Sequence, residues 1–409
     1  MQYNLKELPN GIRIVHQEVT HTRMVHCGFI VNIGSRDEST EEEGLAHFWE
    51  HMAFKGTKKR KAFHILNRLE SLGGELNAYT TKEKICFYAT TLKEHFSKAA
   101  ELLCDITFNS TFPQKQIEKE RQVILEEMSM YRDSPDDSIQ DDFDALVFEG
   151  HALGRNILGR EETVAKFQQQ DFFDFIATRL DTTQLVFSVV GNISFSKVLA
   201  KVEGFLTSIP TKRSLYIRSP FQTYSPSNKL VEKEITQAHC AIGQPAYSLY
   251  DPRRFKLYLL NNILGGPSMN SRLNLALREK YGYVYSVEST YQAYSDTGFV
   301  GVFFGTEQNT VNRARKLVLK EMEKLRSKKL GTMQLHMAKE QAIGQMAMAE
   351  ENYAALMLVF GKNLIDKGRI DSLDTIFGQI KSATAEELMD IANEVYHPNQ
   401  LSFLQYLPA

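Results

Sequence analysis

The hydrophobic pattern of the first half of the chain switches between the two-residue period of strands and the 3.6-residue period of helices. Apolar and β-branched residues predict strands at 10–17, 24–34 and 184–194. Amphipathic spacing predicts helices at 96–108, 114–133 and 195–209. Helices that pack on a mainly antiparallel sheet form an α+β domain, which is the class we expect for this half.

Residues 209–226 interrupt this pattern. The stretch contains three prolines among many polar residues and has no helical apolar stripe. We predict that it is a linker between an N-terminal domain at 1–208 and a C-terminal domain at 227–409.

The second half repeats the order of the first. A strand-rich stretch at 229–249 precedes a helix predicted at 253–266, just as strands precede the first helix of the chain. The halves therefore look like divergent copies, and we expect two related α+β domains, each a mainly antiparallel sheet packed with helices. A Met-rich run at 339–361 is predicted to be one helix in the core of the second domain.

Composition and charge exclude several classes of protein. Of the 409 residues, 43% are hydrophobic and 24% are charged, a balance that excludes a disordered or fibrous chain. The formal net charge is -2, so we expect neither a nucleic-acid partner nor a membrane partner. The four cysteines form no CxxC pair, which argues against a thiolate metal site and fits a reducing compartment. The N-terminus lacks a secretory pattern, and we predict a cytoplasmic protein.

The first helix has clear boundaries in the sequence. Leu45, Phe48 and Met52 recur at helical intervals, and a glycine follows shortly after them. Thr40 and Glu43 have the spacing of a capping box, which predicts the start of the helix.

This helix carries the pattern His-x-x-Glu-His. His47, Glu50 and His51 lie at positions i, i+3 and i+4, so all three project from one helical face. Two neutral imidazoles suit zinc, and a carboxylate beside the ion can take a proton from water. The order is that of the inverted zinc-protease motif. An exposed polar stripe that binds no metal is an equally good explanation of this five-residue pattern.

The helix predicted at 114–133 offers a third ligand. Glu120 and Glu127 are seven residues apart, two helical turns, and share a face, whereas Glu126 points about 100° away. Glu127 is the candidate ligand, and Glu120 is a candidate to orient a ligand histidine. Solvation of acidic residues on a charged amphipathic helix is the alternative explanation.

Three segments together resemble the zinc peptidases related to pitrilysin, insulin-degrading enzyme and the mitochondrial processing peptidase. They are HFWEHMAFKGT (47–57), SLGGELNAYTTKE (71–83) and EKERQVILEEM (118–128). The resemblance implies His47, His51 and Glu127 as ligands of one Zn²⁺ per chain. It also implies Glu50 as general base and Glu120 as a carboxylate behind the ligands.

The resemblance extends to residues that contact substrate. It implies that Asn77, Ala78 and Tyr79 lie on an edge strand, which can bind an extended peptide by adding it to the sheet. The run ILGGPSMNSRLNLALREKYGYVYSV (263–287) matches the family in the second half. There the resemblance implies that Arg278 and Tyr285 meet the substrate near the reacting bond. Without the resemblance, residues 73–80 would be interpreted as a turn followed by an ordinary strand. Arg278 would be interpreted as part of a charged helix end, and Tyr285 as an ordinary strand residue.

The function implied is that of a zinc metalloendopeptidase acting on extended peptides or unfolded segments. Family members with one pair of domains work as dimers that enclose a chamber, so the resemblance implies a homodimer. A subunit of a heterodimeric processing peptidase and a non-catalytic scaffold subunit of the same fold are the alternatives.

Overall fold

The computed structural model describes residues 3–409. Its strands are β1 (Asn4–Glu7), β2 (Arg13–Glu18), β3 (Met24–Val31), β4 (Glu75–Thr80), β5 (Ile85–Leu92), β6 (Leu185–Gly191), β7 (Asn228–Lys233), β8 (Ala238–Ala246), β9 (Val284–Ala293), β10 (Gly298–Thr306) and β11 (Ser402–Pro408). Its α-helices are α1 (Leu45–Ala53), α2 (Ala62–Glu70), α3 (Phe96–Phe108), α4 (Gln114–Asp133), α5 (Pro135–Val147), α6 (Glu161–Val164), α7 (Gln169–Arg179), α8 (Phe195–Thr207), α9 (Arg254–Gly265), α10 (Val311–Ser327), α11 (Thr332–Glu350), α12 (Tyr353–Lys367), α13 (Leu373–Ser382) and α14 (Ala385–Val395).

The described chain forms two compact units. The first unit is built from the segment that ends at Met128, from Arg155–Arg218 and from Met348–Asp371. The second unit is built from Ser129–Gly154, Ser219–Ala347 and Ser372–Ala409. Each unit has its own sheet and its own hydrophobic core.

The sheet of the first unit has the order β1-β2-β6-β3-β5-β4. All pairs are antiparallel except β2 and β6, so the predicted mainly antiparallel sheet is confirmed. The central strand β6 reads as a continuous apolar run because both of its faces are buried. Phe187 and Val189 face the core that contains α3 and α8, whereas Val186 and Val190 face α12.

The sheet of the second unit repeats this arrangement. Its order is β7-β11-β8-β10-β9, and only β7 and β11 pair in parallel. If β1 is set aside, each strand has a counterpart at the same place in the first sheet. Helix α9 follows β8 as α1 follows β3. The expectation of two related α+β domains is therefore confirmed.

Each unit takes one helix from the other half of the sequence. Helix α12 packs on β6 and β3 of the first unit, and α5 packs on β8 and β11 of the second. The compact units therefore do not coincide with the predicted division at 1–208, 209–226 and 227–409. Those boundaries stay a prediction of where the two homologous halves of the sequence meet.

The prediction of one core helix at 339–361 in the second domain is wrong. The run is split into α11 and α12, because the side chain of Asn352 accepts a hydrogen bond from the N–H of Ala355 at 3.1 Å and so begins a new helix. In α11 only Ala342 is buried, and α12 belongs to the first unit.

Between α8 and β7, residues 210–227 contain neither helix nor strand. No helix of the described chain is long and apolar enough to cross a membrane.

Candidate metal and active site

Helix α1 begins immediately after Gly44, whose backbone adopts φ 95°. A Cβ atom at this residue would lie 2.5 Å from the carbonyl oxygen of Leu158. Both the left-handed conformation and the close approach therefore require glycine. This residue fixes the direction in which the chain enters α1.

The start of α1 is held by Glu38 rather than by the predicted capping box. The carboxylate of Glu38 accepts hydrogen bonds from the N–H of Gly44 at 3.0 Å and of Ala46 at 2.7 Å. Burial raises the pKa of Glu38, and these two backbone bonds oppose the rise. The prediction that Thr40 and Glu43 cap this helix is wrong, because Thr40 begins a separate 3₁₀ turn and Glu43 ends it.

His47, His51 and Glu127 lie together in the first unit. Nε2 of His47 is 3.9 Å from one carboxylate oxygen of Glu127, and Nε2 of His51 is 3.5 Å from the other. One potential ligand atom from each of the three residues lies within 4.8 Å of the other two. Among residues 3–409 this is the one such group of His, Cys, Asp and Glu residues.

The donor set fits a zinc ion. In a tetrahedral zinc site with bonds of 2.0–2.2 Å, neighbouring ligand atoms lie about 3.3–3.6 Å apart. The Nε2 atoms of His47 and His51 lie 3.9 Å and 3.5 Å from the Glu127 carboxylate oxygens, near that range. Burial lowers the pKa of His47 to about 3, and the nearby His51 adds to this effect. His47 is therefore a neutral imidazole near pH 7, the form that binds metal.

Glu120 lies behind His51. Its carboxylate is 3.0 Å from Nδ1 of His51, which leaves Nε2 of that ring directed at Glu127. Nζ of Lys55 is 2.7 Å from the other oxygen of Glu120. Burial raises the pKa of Glu120, but the hydrogen bonds from His51 and Lys55 outweigh it, so the pKa is lowered. Glu120 is thus an ionised acceptor suited to orient the His51 ring.

Glu50 projects from the same helix and is half-buried. The hydroxyl of Thr80 donates a hydrogen bond to one of its carboxylate oxygens at 2.6 Å. Burial raises the pKa of Glu50; the bond from Thr80 and the nearby His51 lower it, and Glu127 raises it. Because burial dominates, Glu50 is a stronger base than an exposed glutamate.

The segment that contains Asn77, Ala78 and Tyr79 forms β4, which lies at one edge of the first sheet. Ala78 packs against the core on the α1 side, whereas the ring of Tyr79 lies on the α12 side, 5.0 Å from Nζ of Lys362. The side chain of Tyr79 therefore points to a face of the sheet rather than to its open edge. Asn77 is exposed.

Arg278 and Tyr285 lie next to each other in the second unit. Arg278 is in a π-helical segment, Asn274–Glu279, and Tyr285 is the second residue of β9. The Arg278 guanidinium carbon is 5.6 Å from the centre of the Tyr285 ring, and Tyr285 is 87% exposed. Both residues line a cavity of about 470 Å³ in this unit.

Three residues that contribute to the site were not predicted from the sequence. Thr80 bonds to Glu50, Lys55 bonds to Glu120, and Glu38 holds the start of α1. Lys55 lies in the turn directly after α1, four residues after His51, so its closeness in sequence to the motif is a usable signal. The roles of Thr80 and Glu38 depend on loop and sheet geometry, for which the sequence carries no local signal.

Comparison with protein families matches both halves of the chain. Residues 13–161 match the model described as Insulinase (Peptidase family M16), and residues 166–342 match the model described as Peptidase M16 inactive domain. The chain is 34% identical to the uncharacterized zinc protease YmxG of Bacillus subtilis, over 95% of this chain and 94% of that protein. It is 33% identical to an uncharacterized zinc protease of Rickettsia felis, over 96% of this chain and 95% of that protein.

Solved structures share the fold at lower identity. A protease from Helicobacter pylori superposes with a TM-score of 0.93 at 20% identity, covering 100% of this chain and 99% of that chain. A peptidase M16 inactive domain from Pseudomonas fluorescens superposes with a TM-score of 0.92 at 18% identity, with the same coverage. A chain of Complex III2 from Candida albicans superposes with a TM-score of 0.85 at 19% identity, covering 98% of this chain and 95% of that chain. These likenesses concern the fold alone.

Proposed function

The chain belongs to the insulinase family of M16 peptidases, and from this premise we propose that it is a zinc-dependent metalloendopeptidase. The observation that carries the proposal is the convergence of His47, His51 and Glu127 to within 4.8 Å, with Glu50 on the same helix. The fold by itself does not decide the matter, because it also occurs in a chain of Complex III2. The side chains of the site therefore carry the argument.

In this proposal His47, His51 and Glu127 hold one zinc ion per chain. Glu120 keeps the His51 ring in the orientation in which Nε2 is directed at Glu127 and would be available to the metal. These residues would supply three ligands, which is the number that catalytic zinc sites take from the protein.

Glu50 is the proposed general base. When bound, zinc supplies a Lewis acid that polarises the scissile carbonyl and makes water more acidic. Glu50 accepts a proton from the attacking water and later delivers a proton to the nitrogen of the leaving amine. Its half-buried carboxylate has a raised pKa, which suits a group that must first accept and then donate.

The proposed substrate is an extended peptide or an unfolded segment. Edge strand β4 pairs with β5 on one side only among the described strands, so a peptide can add to its other side. The segment Asn77, Ala78 and Tyr79 would form this pairing through the backbone groups that face away from β5. Arg278 and Tyr285 are proposed to contact the substrate as well, because a guanidinium and a phenol can stabilise a developing oxyanion.

The proposed assembly is a cytoplasmic homodimer that encloses a chamber. Support comes from the family resemblance, since this chain carries both the zinc motif and the Arg278 and Tyr285 pair. A scaffold subunit is the second candidate, and the feature expected of it would be a broken ligand or base position. His47, Glu50, His51 and Glu127 are all present, which favours the peptidase.

Two adjacent glutamates on α4 provide the test. Glu127 faces the histidines, whereas Glu126 is exposed on another face of the helix. Metal is removed with a chelator and zinc is restored, and zinc content and cleavage of a quenched fluorescent peptide library are measured. We expect wild type and Glu126→Gln to bind near one zinc per chain and cleave peptides, and Glu127→Gln to lose both properties. Full zinc content and cleavage in Glu127→Gln would refute the ligand set.

A further inference from the structure

A hydrogen bond ties the proposed base to the proposed peptide-binding strand. The hydroxyl of Thr80 is 2.6 Å from Oε2 of Glu50 and is the donor, because an ionised carboxylate only accepts. Thr80 is the last residue of β4 and directly follows Asn77–Ala78–Tyr79. We propose that Thr80 is a positioning residue that fixes the Glu50 carboxylate relative to a peptide bound along β4. This inference rests on the proposed peptidase function.

The backbone of Thr80 is held firmly. Thr80 pairs with Ile85 across the β4–β5 hairpin, and the hairpin turn is closed by the hydroxyl of Thr81, which accepts from the N–H of Lys84 at 2.9 Å. The carbonyl oxygen of Thr81 also accepts from the N–H of Ser35 at 3.1 Å. The end of the strand is therefore fixed from two directions.

The side chain of Thr80 adds to this rigidity. A β-branched residue has few allowed χ1 rotamers, so the hydroxyl has a restricted direction in space. Alternation along β4 places Ala78 and Thr80 on the α1 side of the sheet, which is the side from which Glu50 projects. The hydroxyl thus reaches Glu50 without distorting the strand.

The hydrogen bond from Thr80 gives the two carboxylate oxygens of Glu50 different roles. Because Oε2 accepts from the Thr80 hydroxyl, we expect Oε1 to be the oxygen that exchanges a proton with water and with the leaving amine. A glutamate has three rotatable side-chain bonds, and without the Thr80 hydroxyl its carboxylate is held less firmly in one orientation. A small misplacement of a catalytic group is costly, since proximity and orientation supply a large part of the rate enhancement.

The same bond connects peptide binding to catalysis. A peptide that adds to the edge of β4 takes its register from the backbone of that strand. Since the Glu50 carboxylate is fixed to the last residue of β4, its place along the bound peptide is fixed too. Thr80 therefore helps to select which peptide bond meets the base.

The test compares Thr80→Val, which keeps the shape and removes the hydroxyl, with Thr80→Ser, which keeps the hydroxyl. Thr90→Val is the matched control, because the Thr90 hydroxyl also bonds to a side chain, His26, at 2.8 Å on the neighbouring strand. We expect Thr80→Val to lower kcat about 10- to 100-fold with KM and zinc affinity nearly unchanged. Thr80→Ser should recover most of kcat, and Thr90→Val should leave it unchanged.

A second readout requires no turnover. In zinc-free protein, the melting temperatures of Thr80→Val, Glu50→Ala and the double variant form a cycle. We expect the double variant to lose less than the sum of the two single losses, because both substitutions remove the same bond. Additive losses would contradict the pairing of Thr80 with Glu50.

The outcomes separate this inference from the proposed function. Wild-type protein that cleaves peptides, together with Thr80→Val that cleaves equally well, overturns the role of Thr80 alone. Thr80→Ser as slow as Thr80→Val also overturns it, since the hydroxyl would then not be the operative group. Zinc-loaded wild-type protein that cleaves no peptide overturns the proposed peptidase and this inference with it.

Discussion

The two glutamates Glu50 and Glu120 show how the surroundings of a residue set its role. Both are removed from water to some extent, and burial alone would raise the pKa of each. His51 and Lys55 bind Glu120 closely enough to reverse this effect, so it remains a charged acceptor. Glu50 has a hydroxyl donor and a neighbouring carboxylate instead, and burial dominates. One residue type thus supplies both a fixed anion and a base.

Removing the charge of Glu120 is expected to weaken zinc binding. In Glu120→Gln the His51 ring loses its charged partner, and zinc affinity should fall about 10- to 100-fold, as is usual for such supporting groups. Glu118→Gln is the control, because Glu118 is exposed on the same helix. Competition with a chromophoric chelator measures both affinities. Equal zinc affinity in the two variants would show that Glu120 does not support the ligand.

The surroundings of His16 lead us to expect that stability depends on pH. Its Nε2–H donates to the carbonyl of Ile193 at 2.7 Å, and Nδ1 accepts from Asn4 at 3.3 Å, so the folded protein holds a neutral ring. Burial lowers the pKa of His16 below its ordinary value of 6.5. Between these two pKa values the unfolded chain binds a proton that the folded chain does not. Stability is therefore full above pH 6.5 and falls as the pH drops below it.

The measurement is chemical unfolding of chelator-treated protein between pH 5 and pH 8. His16→Gln should reduce the slope of stability against pH by at most about 1.4 kcal/mol per pH unit, the free energy of one proton. Burial lowers the pKa of His26 as well and that of His47 to about 3, so part of the slope should remain. His64→Gln, at an exposed position on α2, serves as the control. An unchanged slope in His16→Gln would contradict the assignment.

At the scale of elements, α12 completes the first unit by covering one face of its sheet. Leu356, Phe360 and Leu364 lie in a cluster with Val186 and Val190 of the central strand. Gly361 faces Ile30 so closely that a Cβ atom there would lie 2.3 Å from the end of the Ile30 side chain. The close approach of α12 to β3 therefore depends on this glycine.

Two glycine substitutions in neighbouring helices are expected to have opposite effects. Gly361→Ala forces the helix away from Ile30, and overpacking of about 1–3 kcal/mol should exceed the gain of about 1 kcal/mol in helix propensity. Gly344 of α11 is exposed with open space around it, so Gly344→Ala should stabilise or be neutral. The measurement is the melting temperature of each variant relative to wild type. A stabilised Gly361→Ala would contradict the packing of α12 on β3.

The sequence was a good guide to elements with a clear period. The helix predicted at 114–133 is α4, the strand predicted at 184–194 contains β6, and the helix predicted at 253–266 contains α9. The sequence-based prediction failed where tertiary contacts decide to which domain an element belongs. The apolar face of α12 fits a helix of either domain, and only packing on the first sheet settles its place.

The site shows the same division. Helical spacing predicts that His47 and His51 share one face of α1. Glu127 lies on another helix, and the family resemblance is what joined it to them. Thr80 and Glu38 reach the site through a strand end and a loop, whose positions depend on pairing with distant parts of the chain. A local sequence pattern cannot predict contacts of this kind.

For the whole molecule, the proposed homodimer leads to a prediction about mass and substrate choice. Light scattering should give about twice the 46.7 kDa of one chain. A closed chamber should admit unfolded peptides and exclude stably folded proteins. A disulfide-stabilised small protein and its reduced, alkylated form are a matched pair of substrates, and only the unfolded form should be cleaved at an appreciable rate. Monomeric, active enzyme that cleaves both forms equally would contradict the chamber.

The central claim is that this chain is a zinc peptidase in which Glu50 is the base. The most direct test measures zinc content and peptide cleavage of wild type and Glu50→Gln in the same preparations. The account predicts near one zinc per chain in both proteins and a loss of kcat of at least about 100-fold in the variant, since Gln cannot accept the proton. Equal cleavage by the two proteins, both loaded with zinc, would contradict it.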